Sequence, residues 1–188
     1  MLTVGDRFPE FKCKACVGNE KADLTEVNSG THEGKWKLFL FYPKDFTFVC
    51  PTELVKVNQQ RDVVEELVEF GKRAGDFADR DVVLLGASAD NEHSHLAWRR
   101  SHDDLRGLPY PLLAAARLAK DLDILDRDEH VPLRATFLVD PQGVIQWVTV
   151  NNLSVGRSVD EAIRVIDAVQ SDELCPCNWK QGESFVAA

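Results

Sequence analysis

The segment Phe41–Leu54, FYPKDFTFVCPTEL, ends an apolar run on a cysteine, Cys50, that stands directly before a proline. Pro51 cannot extend a strand ladder and suits the first turn of a helix, so the pattern places the thiol at or beside a helix N-cap. Unpaired backbone N–H groups and the positive end of the macrodipole favour an anion there. A free thiol titrates near pH 8.5; lowering that to about 6 raises the thiolate fraction at pH 7 from roughly 3% to roughly 90%. The gain is only about thirtyfold, and a less basic thiolate is a poorer nucleophile. Activation alone therefore explains no catalysis, and something must also organise a substrate. Thr47 brings a hydroxyl three residues before Cys50, and Pro43 fixes the same loop and shields one side of the sulfur. Read locally, Thr47 is a helix cap, Pro43 a strand terminator and Cys50 a small buried hydrophobe.

The elements that must position these residues follow from periodicity. Lys35–Tyr42, KWKLFLFY, is an apolar run of strand length ended by Pro43. From Pro51 to Ala78 apolar residues recur every three or four positions among Glu, Lys, Arg and Gln, a helical pattern weakened by Gly71 and Gly75. Asp81–Ser88, DVVLLGAS, reads as a buried strand, His93–Ser101 as a helix, Gly107–Pro111 as a loop and Arg117–Leu125 as a short helix. Leu133–Val139 and Gly143–Val150, split by the turn sequence DPQG, predict a hairpin. Ser158–Gln170 is the last helix, with Ser158 and Glu161 spaced as a capping box. The series predicts an α/β fold with a mixed sheet edge. Residues 1–170 are expected to form one domain and 171–188, which show no core periodicity, a C-terminal tail.

Composition narrows the function classes. The chain has 188 residues and a formal charge of −9. That acidity argues against binding nucleic acid through a basic surface. No run of about 18 apolar residues predicts a membrane span, and MLTVGDRFPEF lacks the start of a secretory signal, so a cytoplasmic protein is expected. Five cysteines, Cys13, Cys16, Cys50, Cys175 and Cys177, point to reactive thiols or metal ligands rather than a disulfide framework.

Pro43-x-x-x-Thr47-x-x-Cys50 matches the active-site pattern of the peroxiredoxins, and FYPKDFTFVCPTE resembles their most characteristic segment. HLAW at His95–Trp98, LRATFLVDPQGVIQ at Leu133–Gln146 and DELCPCNWKQG at Asp172–Gly182 resemble three further family segments, in the family's order. The likeness runs from Val4 to about Gly182 and is strongest to the typical two-cysteine group, which includes the peroxidase subunit of bacterial alkyl hydroperoxide reductase. It implies a thioredoxin-like fold, with a central mixed sheet flanked by helices and an extended tail. It also implies reduction of hydrogen peroxide and organic hydroperoxides, with no metal, flavin or haem. Cys50 is then the peroxide-attacking thiol, Arg134 the residue that holds thiolate and peroxide, Thr47 the one that orients the peroxide, and Glu53 a support for Arg134. Cys175, before a proline as in the family's V-C-P-x-x-W pattern, is the resolving cysteine, and Cys177 a backup or an exchange thiol. The implied partners are a disulfide reductant (thioredoxin, a flavoprotein reductase or a small dithiol protein) and a second copy of the chain, in a homodimer and a ring of five dimers.

The chain also departs from that pattern. The helix after Cys50 is longer than the family's by roughly three turns, across QRDVVEELVEFGK. Neither the GGLG loop nor the C-terminal YF pair of the easily over-oxidised eukaryotic members is present, which implies resistance to over-oxidation. Cys13-x-x-Cys16 has the spacing of a dithiol site or of two zinc ligands, but it does not open a helix after a core strand. It reads first as a pair of inert, partly buried thiols, with an accessory disulfide, zinc or a general dithiol oxidoreductase as alternatives. His93 and His95 do not share a helical face and read as structural.

Overall fold

The computed structural model describes residues 1–46 and 63–186. Thr47, Cys50, Glu53 and the start of the helix expected from Pro51 lie outside the described residues.

Among the described residues seven strands form one mixed sheet: β1 (Lys12–Cys16), β2 (Leu24–Asn28), β3 (Trp36–Phe41), β4 (Val82–Ser88), β5 (Leu112–Ala114), β6 (Arg134–Val139) and β7 (Ile145–Asn151), in the order β2-β1-β5-β4-β3-β6-β7. β3 runs parallel to β4 and antiparallel to β6, and β6 and β7 form the expected hairpin. Gly143 in its turn has φ +82°, a conformation that any Cβ would strain. β1, β2 and β5 were not expected from the sequence. β5 has only three residues, too few to show a period, and β1 alternates Lys-Cys-Lys-Ala with exposed lysines.

β3 sends alternate side chains to opposite faces. Leu38, Leu40 and Tyr42 meet Leu67 and Phe70 of α1 (Val63–Lys72) and Ile163 and Ile166 of the last helix (Val159–Ser171). Phe39 and Phe41 meet Phe8, Phe137 and Leu118 on the other face, where Phe8 stacks on Phe39 with centroids 4.3 Å apart. Burial of both faces of β3 explains its nearly unbroken apolar sequence.

The helical pattern expected to Ala78 breaks at Arg73, so that α1 is followed by a separate turn of helix, α2 (Ala74–Ala78). Gly71 lets α1 approach the loop before β5: a Cβ there would sit 3.1 Å from Pro109 and 3.2 Å from Leu108. α3 (Glu92–Ser101) is capped by the Asn91 side chain, which accepts from the N–H groups of His93 and Ser94 at 3.0 and 2.9 Å. α4 (Asp103–Arg106) is a short addition, and α5 (Ala116–Asp121) stops short of Leu125. The last helix is α6; Ser158 Oγ caps it by accepting from Glu161 N at 3.2 Å, while the Glu161 carboxylate pairs with Arg164 at 2.6 Å.

Candidate active site

β6 begins with Arg134, which faces the α1 side of the sheet together with Thr136 and Leu138. Its guanidinium is buried, donating from Nη1 to Glu66 Oε2 at 2.6 Å and from Nε to the Leu153 carbonyl at 2.7 Å. Glu66 is shared with a second buried arginine, Arg157, in the segment before α6. Arg157 donates to Glu66 from its backbone N and Nε, both at 2.8 Å to Oε1, and from Nη2 at 2.7 Å to Oε2. Its Nη1 donates to the carbonyls of Phe41 at 2.8 Å and Ala135 at 3.1 Å. One side chain thus ties the C-terminal end of β3 to the N-terminal end of β6 and to α1.

Burial would push the Glu66 carboxyl up, yet the Arg157 charge and hydrogen bonds, with Arg134 behind them, hold it below the usual carboxylate range. Among the described residues, two guanidiniums against one carboxylate leave one surplus positive charge, and none of the three side chains is more than 7% exposed. In so dry a place the surplus acts strongly on any anion within a few ångströms. The cluster reaches the Phe41 carbonyl, two residues before Pro43, and Glu66 and Arg157 line a cleft of about 580 Å³.

The loop after β3 is fixed by a second buried network. Asp45 accepts from the Tyr42 hydroxyl at 2.9 Å and lies 2.7 Å from His95 Nδ1, while its own N–H donates to Asp90 at 2.8 Å. Asp45 and His95 side chains are 1% and 0% exposed, and burial pushes the Asp45 carboxyl up against the lowering pull of His95 and Tyr42. Phe46 follows with φ +52° and packs on Trp98 at 6.3 Å between centroids. A non-glycine residue is strained at that φ, so the surrounding contacts must hold it. Chain order alone puts Thr47 next.

Of the residues expected to form the site, Pro43 is buried in this loop and Arg134 is buried in the arginine cluster. Thr47, Cys50 and Glu53 lie outside the described residues. The described carboxylate on Arg134 is Glu66, which the sequence reading did not single out. Two signals pointed to it. Glu66 falls on the apolar stripe Val63, Leu67, Phe70 of its helix, where a carboxylate needs a buried partner. The triplet Glu-Leu-Val also occurs twice, at 53–55 and 66–68, so that Glu66 repeats the local setting of Glu53. Arg157 gave no local signal.

Cys175 and Cys177 follow α6. Cys175 is partly buried, its sulfur 3.7 Å from Ser171 Oγ and 3.9 Å from the Ala168 carbonyl, whereas Cys177 is exposed. The segment turns back on α6 through Trp179, 3% exposed, which stacks on Phe185 and whose carbonyl accepts from Arg164 at 3.4 Å. Among the described residues, no hydrogen bond or ion pair joins either thiol to Arg134. Cys13 and Cys16 are buried free thiols in β1. Three residues apart on a strand, they point to opposite faces, so the spacing cannot close a disulfide within β1. Burial pushes Cys13 up to about 11 and raises Cys16 as well, which makes both poor nucleophiles. Among the described residues, no group of three or more His, Cys, Asp or Glu is arranged to hold a metal ion, and no helix is long and apolar enough to cross a membrane.

The chain matches the AhpC/TSA family over residues 4–68 and 62–148. It is 46% identical to alkyl hydroperoxide reductase C of Mycolicibacterium smegmatis over 100% of this chain and 95% of that protein. Among solved structures, Mycobacterium tuberculosis AhpC is 41% identical with TM-score 0.79, covering 96% of this chain and 99% of that one. The reduced 2-Cys peroxiredoxin of Plasmodium vivax is 36% identical with TM-score 0.82, covering 98% and 93%.

Proposed function

Because the chain belongs to the AhpC/TSA family, we propose that it is a thiol peroxidase that reduces hydrogen peroxide and organic hydroperoxides with Cys50 as the attacking thiol. The thioredoxin-like mixed sheet is the peroxiredoxin fold, and relatives are named alkyl hydroperoxide reductase, thioredoxin peroxidase and peroxiredoxin. The observation that carries the reading is the surplus positive charge of Arg134, Glu66 and Arg157 beside the end of β3, whose following loop leads to Cys50. A thiolate and a peroxide losing its O–O bond are both anionic there, and Arg134 is the residue able to hold them.

In the proposed reaction the Cys50 thiolate attacks the terminal peroxide oxygen. The S–O bond forms as the O–O bond breaks, and the departing oxygen takes the electron pair and a proton, leaving as water or an alcohol. Thr47 orients the peroxide in line with sulfur, Pro43 keeps one side of the thiol dry, and Glu53 supports Arg134 from the sequence side that Glu66 occupies from α1. Cys175 then attacks the sulfenic sulfur, expelling water and forming a disulfide, with Cys177 as an exchange thiol. A dithiol reductant (thioredoxin, a flavoprotein reductase or a small dithiol protein) returns both cysteines to thiols. Residues 171–188 act as a tail carrying the resolving thiol, and Cys175 serves Cys50 of a second copy in a homodimer, five of which close a ring. A partly buried Cys175, whose contacts among the described residues are long ones from sulfur, suits a residue that must leave its place to react. The free thiols at Cys13, Cys16, Cys175 and Cys177 suit a reducing cytoplasm.

The test is peroxide consumption by the reduced protein beside Cys50→Ser and Cys175→Ser, with non-reducing gels. Loss of turnover in Cys50→Ser and loss of a disulfide-linked dimer in Cys175→Ser are expected. A dimer that persists in Cys175→Ser makes Cys177 the resolver, and full activity in Cys50→Ser overturns the reading.

A further inference from the structure

On the face of the sheet away from Arg134, a second unusual cation is built into β3. Lys37 shares the side of the strand occupied by Phe39 and Phe41, and the whole residue is 7% exposed. Buried lysines are normally ion-paired. Lys12, Lys14, Lys35, Lys44 and Lys72 all pair with carboxylates, although all five are exposed. Among the described residues Lys37 has no ion pair, and its one hydrogen bond there is a long one, 3.4 Å from Nζ to the Lys35 carbonyl. The side chain lines a cleft of about 320 Å³ floored by Phe8 and Phe39 and bordered by Arg7, Glu10 and Glu33. That volume is at the small end of the range for small-molecule sites. Arg7 is exposed and likewise has no ion-pair partner among the described residues.

The geometry points to Lys37 as an acyl acceptor, whose neutral amine takes a short acyl group from a small anionic donor, an acyl phosphate, that enters the cleft. The amine lone pair attacks the acyl carbon and a C–N bond forms. The C–O bond to phosphate breaks, phosphate leaves with that electron pair, and the ammonium proton passes to Glu33 or to water. Arg7 draws the phosphate end, and the aromatic floor accepts the acyl end. Glu10 and Glu33 oppose a second anion, which limits the cleft to donors whose charge lies at the Arg7 side.

Burial lowers the Lys37 amine below its usual range, against the opposing pull of Glu33, and each unit so lowered raises the neutral fraction at pH 7.5 about tenfold. The Lys37 and Lys35 charges act in turn on His32, which burial first, and then these two cations, hold below its usual value. Once acylated, Lys37 no longer carries a charge in an apolar place, so the product suits the cleft better than the substrate.

The experiment is acetylation of the reduced full-length chain by acetyl phosphate at pH 7.5, with site rates from peptide mass spectrometry. Lys21, exposed and without an ion pair among the described residues, is the internal reference. Lys37 is expected to react at least about threefold faster than Lys21. A rate at or below that of Lys21 overturns the assignment. Arg7→Gln, which leaves Lys37 in place, is expected to slow Lys37 acetylation by acetyl phosphate about threefold and not by the uncharged N-acetoxysuccinimide. Equal slowing with both reagents overturns the role of Arg7, and Lys37→Arg, which removes the signal, fixes its position.

Discussion

Two buried polar networks flank residues 47–62, and they are built on opposite charge logic. Before that segment, Asp45 is shared by Tyr42 and His95, and burial pushes its carboxyl up. After it, Glu66 is shared by two guanidiniums that hold its carboxyl down despite the same burial. The first fixes a loop of strained geometry at Phe46. The second, among the described residues, carries a net cation. A reactive thiol needs both services, a rigid approach and a positive field, and the chain assigns them to separate carboxylates.

The sharpest way to break this contrast is Glu66→Gln. It leaves Arg134 and Arg157 buried without an anion, so a loss on the order of 3 kcal/mol in urea unfolding is expected at pH 7. The folded pKa of Glu66 is depressed. Its contribution is therefore present above the ordinary carboxylate value near 4.3 and lost as pH falls through the lower folded value. The wild-type advantage over Glu66→Gln should shrink in acid, and an advantage independent of pH would mean that Glu66 acts only as a packing group. Asp45→Asn should cost less, about 1–2 kcal/mol, since an amide still meets Tyr42. Its pH dependence should run the other way. With its folded pKa raised, Asp45 loses stabilising power as pH rises from the ordinary carboxylate value near 3.9 through the folded value. Parallel slopes for the two variants would erase the distinction.

The two networks also differ in how far the sequence shows them. Tyr42, Pro43 and Asp45 lie within the segment that already stood out for its cysteine and proline, and strands β3, β4, β6 and β7 followed from apolar runs bounded by turns. Glu66 was legible only as an acid on an apolar helical stripe, and Arg157 not at all, because its partners are 22, 91 and 116 residues away. Periodicity reports which side of an element is buried, not which distant group will meet it there. β5 was missed for want of length. β1 was missed although its alternation was visible, since the thiols of Cys13 and Cys16 suggested chemistry that burial in the strand removes.

Arg157 has a further consequence, in time rather than in space. Its bonds to Phe41, Glu66 and Ala135 join parts of the chain that meet only after large loops have closed, and such contacts form late in folding. We expect the positive field to be among the last features to appear, so that a thiol in a half-made chain stays comparatively unreactive. In refolding experiments Arg157→Lys should then speed unfolding more than it slows folding, and the reverse would place the cluster in the folding nucleus. The buried ion-pair cluster would on this view act as a completion signal, arming the cysteine only in a chain whose fold is finished.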